Sequence, residues 1–304
     1  MKRIALALIT VALLALSACA PAASSRSESP HIIVTTNILG DVVAAIVGSE
    51  AQVTTLMKPN ADPHSFEISA REAAQLSAAS LIVSNGLGLE EGLSRHLDRA
   101  AHDGAEVFVA GDFIETLSYA DHDQAGTADP HWWTDPARMR DVVDALETAL
   151  VDVDGIDGSV IRSQADSYRA ELTQLDADMT SAFASIDDAD RALVTNHHVF
   201  GYLAERFDFR IVGAVIPGGT TLASPSAADL RDLATAITDA GVSSIFAESS
   251  QPDRLVQVLA SEANLNVNVI ELFTESLTAP GEGADTYLTM MRANTERITQ
   301  GLTR

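Results

Sequence analysis

Short apolar runs alternate with helix-patterned segments along most of the chain, and that alternation leaves few folds open. From His31 the runs are "HIIVTT", "AQVTTLM", "LIVS" and "EVFVA"; later come "RALVT", "FRIVGAV", "SSIFAE" and "VNVIE". Runs so short and so uniformly apolar suit strands buried on both faces. The segments between them are long enough to cross over as helices and return each strand parallel to the last. In the first half those helices read "NILGDVVAAIVG", "AREAAQLSAA", "LEEGLSRHLDRAA" and "ARMRDVVDALETAL"; in the second they lie near 199–206, 225–240, 252–264 and 286–301. Two carry start signals. Ser69 and Glu72 form a capping box, and Pro136 stands at the first helical position, where its missing N–H is no loss. The pattern predicts an α/β fold of two doubly wound lobes, each with a four-stranded parallel sheet.

Between the lobes, Ser159 to Ile186 contains neither Gly nor Pro, and Ile161, Ala165, Tyr168, Leu172, Leu175, Met179 and Phe183 recur at helical spacing. A helix of that length would run about 42 Å, enough to lie along both lobes as one backbone helix. The expected organisation is an N-terminal lobe over 31–155, a linker helix over 156–188 and a C-terminal lobe over 189–304. A coiled-coil dimer could use the same stripe. Inside an α/β chain the intramolecular use is the expected one, which implies a monomer.

The N-terminus lies outside this fold. Lys2 and Arg3 precede the apolar run "IALALITVALLAL" and a small-residue stretch, which marks residues 1–18 as a signal peptide. The run is too short to span a membrane. Cys19, the only cysteine, follows Leu16-Ser17-Ala18 and resembles the lipobox cysteine that is lipidated to become the new N-terminus. Residues 19–30 would then be a flexible tether from a lipid anchor, on the outer, periplasmic or cell-surface, side of the cytoplasmic membrane. Loss of residues 1–18 removes Lys2 and Arg3 and no acid, moving the formal charge from −24 to −26. Such a chain repels nucleic acid. With no thiolate in its body, it would have to hold a metal by His, Asp or Glu.

The tetrapeptide "ADPH" occurs twice, ending at His64 and at His131. Open parallel sheets bind ligands beyond the carboxyl ends of their strands. His64 follows "AQVTTLM", His131 lies in the loop after "EVFVA", and His197 follows "RALVT" in "TNHHVFGYLAERF". If the lobes face each other, the three meet in the cleft. Each proline fixes its own φ and biases the preceding Asp to extended backbone, which holds the following imidazole on a stiff loop. On the residues alone, each histidine is either a hydrogen-bonded loop residue or a metal ligand. Trp132, Trp133 and Phe200 stand beside them as packing or as walls against water.

The segments "KPNADPHSFE", "ADPHWWTDP", "TNHHVFGYL", "IFAESSQPDR" and "GADTYLTMMRANTERITQGL", in that order, resemble those of the metal-binding lipoproteins of bacterial ABC importers for zinc and manganese. The resemblance runs from Cys19 to Arg304. It implies two α/β lobes bridged by a backbone helix, with a metal site in the cleft. Carried over residue by residue, it implies His64, His131, His197 and Asp285 as ligands. By its own position Asp285 also suits the N-cap of the last helix. Glu248, Arg254 and Trp132 are expected around the ligands as supporting groups, while His198 should point away.

Three imidazoles and a carboxylate suit one Zn²⁺ per chain. Mn²⁺ favours a larger share of oxygen, and manganese receptors of this kind typically carry glutamate where His197 stands. One departure is the segment "SYADHDQAGTADPH", which has only His122 before His131 where many zinc receptors have a long histidine-rich loop. The implied function is extracytoplasmic capture of a divalent metal, Zn²⁺ foremost, for a membrane permease, without enzymatic activity. The alternatives are a manganese receptor, a surface adhesin, or a zinc-dependent hydrolase. The last would need an open coordination position, and the chain has no H-E-x-x-H.

Overall fold

A computed structural model describes residues 29–119, 125–216, 218–250, 254–262 and 267–303. Cys19 and the rest of 1–28 lie outside the described residues, as does His122. The strands are β1 (His31–Val34), β2 (Gln52–Thr55), β3 (Leu81–Ser84), β4 (Val107–Val109), β5 (Ala192–Thr195), β6 (Arg210–Ala214), β7 (Ser244–Glu248) and β8 (Asn268–Leu272). They form two four-stranded sheets in the orders β2-β1-β3-β4 and β6-β5-β7-β8. Every neighbouring pair is parallel. In each sheet the chain steps one way from its first strand, then crosses back and continues the other way, so each lobe is doubly wound. The central strands β3 and β5 are buried along their whole length, as uniformly apolar sequences require.

The helices are α1 (Asn37–Val47), α2 (Ala70–Leu76), α3 (Ser94–His102), α4 (Pro136–Val151), α5 (Gly158–Phe183), α6 (Gly201–Phe207), α7 (Ala227–Ala240), α8 (Arg254–Glu262) and α9 (Tyr287–Leu302). The Ser69–Glu72 capping box opens α2, and Pro136 with the Asp135 side chain opens α4. Helix α3 starts at Ser94, later than the apolar pattern from Leu89 suggests. Gly92 lies in that stretch with its Cα against the Phe66 carbonyl, where an added Cβ would come within 2.5 Å of the oxygen.

Helix α5 is the unbroken spine, 26 residues and therefore about 39 Å long. All seven residues of its apolar stripe are buried. They pack against α1 and α4 from the first lobe and α9 from the second. One apolar cluster therefore runs from the first lobe through the spine into the second. Truncating Leu172 or Leu175 to alanine there would cost about 2–5 kcal/mol. Two smaller clusters fill the outer faces of the sheets. Bending the lobes apart means breaking the shared cluster, so motion at the cleft falls to its loops.

Candidate metal centre

The repeated tetrapeptide is a repeated turn. The His64 N–H donates to Asp62 Oδ1 at 2.9 Å, and the His131 N–H donates to Asp129 Oδ1 at 3.0 Å. In both copies the Asp side chain thus caps the backbone two residues on, with the proline fixing the bend between them. Asn60 adopts a left-handed φ of 61° ahead of the first copy, which asparagine tolerates. Its N–H reaches across the cleft to the Leu277 carbonyl at 2.9 Å. His197 stands two residues beyond β5, its carbonyl accepting from Thr195 Oγ1 at 2.6 Å.

These loops bring His64, His131 and His197 together with Glu275, all buried. The His64 and His131 Nε2 atoms lie 3.4 Å apart, and those of His131 and His197 3.3 Å. Glu275 Oε1 sits 3.0, 3.2 and 3.3 Å from Nε2 of His64, His131 and His197. Four potential donor atoms therefore surround one point out of reach of water. Burial is the strongest single influence on His131 and His197 and opposes their protonation. The charges and hydrogen bonds of Glu275, with Asp129 for His131 and Glu248 for His197, together outweigh it, so both pKa values are raised, that of His197 well above the usual imidazole range. Burial likewise opposes ionisation of Glu275, yet the His197 charge and hydrogen bonds from all three rings hold its carboxyl well below the usual range. The pocket favours positive charge at its centre, whether carried by protons or by a metal cation.

Behind the rings the arrangement is unequal. His131 Nδ1 lies 2.8 Å from Asp129 Oδ1, and Tyr119 Oη donates to the same oxygen at 3.1 Å. His197 Nδ1 donates to the buried Glu248 carboxylate. A carboxylate that accepts from Nδ1 fixes the tautomer and turns the Nε2 lone pair inward. Gly201 makes room for this: a Cβ there would lie 2.6 Å from Asp129 Oδ2. His64 Nδ1, by contrast, is buried without a hydrogen-bond partner, and the nearest carboxylate oxygen, Glu91 Oε1, is 3.6 Å away.

Of the expected supporting groups, Glu248 lies against His197. Trp132 is fully buried and shares with Glu275 a gap too narrow for water. It is Trp133 that meets the His131 ring, with centroids 5.3 Å apart. Arg254 opens α8, and its side chain lies outside the described residues. His198 faces Tyr119, with ring centroids 6.4 Å apart, and is not in the group.

Asp285, expected as the fourth ligand, does not reach the cluster. Its carboxylate accepts from the Gly281 N–H at 2.9 Å and from Thr289 Oγ1 at 3.4 Å. It does not cap α9 either, because Thr286 does so in a capping box with Thr289. Glu275 occupies the position instead. It follows β8 closely, and first-lobe residues grip its flanks: Trp133 Nε1 donates to the Thr274 carbonyl at 2.8 Å, Asn37 Nδ2 to Ser276 Oγ at 2.8 Å, and the Leu277 N–H to Asn37 Oδ1 at 2.9 Å. The chain then turns through Gly281 and Gly283, at φ 85° and 98°, before Asp285. The missed residue carried a signal. "ELFTESL" puts a carboxylate just past a strand's carboxyl end, which is the rule that selects the histidines.

Known proteins share this arrangement of lobes. The manganese ABC transporter substrate-binding lipoprotein PsaA of Streptococcus pneumoniae is 28% identical over 99% of both chains. The zinc-binding protein TroA of Treponema pallidum is 27% identical over 92% of this chain and 91% of its own. The solved structure of periplasmic zinc-binding TroA superposes with a TM-score of 0.84, covering 91% of this chain and all of that one. A Mn-bound periplasmic metal-binding protein from Candidatus Liberibacter asiaticus, 24% identical and matched over 90% of this chain and 99% of its own, has the same fold at a TM-score of 0.80. Residues 32–301 match the family described as zinc-uptake complex component A, periplasmic, and the chain belongs to that family of metal-binding substrate receptors for ABC importers, which are not enzymes.

Proposed function

We propose that this receptor captures Zn²⁺ through Nε2 of His64, His131 and His197 and a carboxylate oxygen of Glu275, and delivers it to its membrane permease. The observation that carries this reading is the spacing of the four atoms. Zinc bonds to imidazole nitrogen are about 2.0–2.1 Å long, so neighbouring donors around a tetrahedral ion stand about 3.3–3.4 Å apart. Five of the separations in the cluster lie between 3.0 and 3.4 Å. Three nitrogens to one oxygen also favour zinc over manganese, since affinity for such donors rises along the first-row series from manganese toward copper and zinc. In this reading Glu248 and Asp129 hold their rings in register. Cys19 carries a lipid anchor, the tether leaves the receptor free outside the cytoplasm, and the receptor acts as a monomer.

Manganese is the second reading, supported by PsaA, a relative as similar as TroA and named for manganese. Competition dialysis of the metal-free protein against both ions at equal free concentration separates the two. Zinc at one equivalent with manganese displaced is the expected result, and retained manganese would reverse the assignment.

A further inference from the structure

All four candidate donors are buried, so an ion can reach them only if part of the enclosure moves. The three histidines are not equally free to do so. His131 and His197 are held from behind by buried carboxylates, whereas His64 Nδ1 has no hydrogen-bond partner. What holds the His64 side comes from the other lobe. Segment 218–222, between β6 and α7, crosses the cleft; Thr221 Oγ1 donates to Asp62 Oδ2 at 2.7 Å, and Thr220 Oγ1 donates to Glu91 Oε1 at 2.8 Å. Asp62 is the residue that shapes the His64 turn. Glu91 is the carboxylate nearest His64 Nδ1, and its side chain is 44% exposed.

We propose that His64 is the exchange ligand: cargo comes and goes on its side of the cluster, and the strap of Thr220 and Thr221 is the fastening that keeps that side shut. This rests on the ligand set proposed above. The other approach is poorer. A cavity of about 420 Å³ reaches Tyr119 and Asp129 behind His131. An ion arriving there meets the Nδ1 side of the ring, with the Nε2 lone pair turned away, and must break the Asp129 contact to advance. On the His64 side two partly exposed hydroxyl–carboxylate hydrogen bonds tie the strap to the first lobe. With them released, the Asp62 turn can carry the ring outward, and Glu91 is the first carboxylate an outgoing ion meets. The strap is also seated closely. The His198 N–H donates to the Gly218 carbonyl at 3.2 Å, and Gly219 lies against the Tyr119 ring, where any Cβ would clash.

The test is the release rate of bound zinc into excess fluorescent chelator, followed by stopped flow for the unaltered protein and for T220V/T221V. Each exposed hydrogen bond contributes a factor of a few, so the double variant should release about tenfold faster with its stoichiometry unchanged. An unchanged rate at full stoichiometry overturns the inference. Failure of the unaltered protein to bind zinc overturns the cargo assignment instead. A second measurement needs no variant. Hydrogen exchange of zinc-loaded and stripped wild-type protein should show amides of 62–66 gaining most on stripping, with 129–132 and 196–198 changing little. Opening at 129–132 first would name His131 as the exchange ligand and overturn the proposal.

Discussion

The two copies of Ala-Asp-Pro-His make the same turn and then part company. In both, the Asp side chain accepts the N–H of the histidine two residues later. At Asp129 the carboxylate oxygen also takes the imidazole Nδ1. At Asp62 the second oxygen turns to Ser65 and to Thr221 of the opposite lobe, and His64 Nδ1 has no hydrogen-bond partner. Identical local sequence thus gives the same contact from Asp to the histidine N–H and different side-chain restraint. The difference comes from what the tertiary fold puts behind each ring: Tyr119 and Gly201 on one side, the exposed Glu91 on the other. In the reading proposed above, one motif supplies a fixed ligand and the other a ligand that can leave.

The largest effects should come from removing a donor. If the about 10–16 kcal/mol typical of a structural zinc site is shared over four donors, each is worth about a hundred- to a thousandfold in affinity. His131→Ala, His197→Ala and Glu275→Ala should each lose that much in equilibrium titration. A variant that still binds as tightly as wild type would remove its residue from the site.

Acidity comes next. Because the metal-free pKa values of His131 and His197 are raised, both rings hold protons at a higher pH than an ordinary imidazole, and zinc must displace them. Affinity should therefore weaken from nearer neutrality than an unperturbed pKa of about 6.5 implies. Once pH is below both raised values, the fall should approach about a hundredfold per unit, tenfold for each proton. The same shifts predict that these rings stabilise the metal-free protein fully below their unfolded pKa, and that this stability is lost as pH rises through the folded values. Zinc titration from pH 5 to 8, with proton release measured in parallel, checks the first part. A flat profile would contradict it.

Loosening the pinned rings without deleting them should cost less. Asp129→Asn and Glu248→Gln should each weaken zinc binding by about 10–100-fold, the usual range for partners of a metal-bound histidine. Asp62→Ser, which keeps an acceptor for the turn, should change affinity far less, since His64 Nδ1 has no hydrogen bond to lose and Nε2 faces Glu275 and His131; equal losses at Asp62 and Asp129 would erase the contrast between the two motifs. The smallest effect is expected at Asp285, whose removal should leave affinity within about twofold, since it is spent on Gly281 and Thr289.

Much of this was legible in the sequence for physical reasons that can be named. Short apolar runs between helix-patterned segments made all eight strands readable, although the edge strands β2, β6 and β8 are only partly buried, and the α5 stripe matches the observed buried face residue for residue. That the three histidines come together was readable because the carboxyl ends of strands face the cleft. Glu275 was missed because the resemblance was carried onto the segment "GADTYLTMMRANTERITQGL", just beyond "ELFTESL", and Asp285 stood in it. What decides between the two acids is tertiary: Asn37 and Trp133 grip the chain around residue 275, and no local pattern announces that grip. Nor could sequence tell the two ADPH copies apart, because the groups behind the rings come from residues 91, 119, 201 and 221.

The central claim, three imidazoles and Glu275 around a single ion, is tested most directly by a zinc-soaked or zinc-cocrystallised structure with data collected on both sides of the zinc absorption edge. The strongest anomalous peak should lie at the point shared by Nε2 of His64, His131 and His197 and the Glu275 carboxylate, with Asp285 remote from it. A principal peak bound by Asp285, or one that leaves Glu275 uncoordinated, would contradict it.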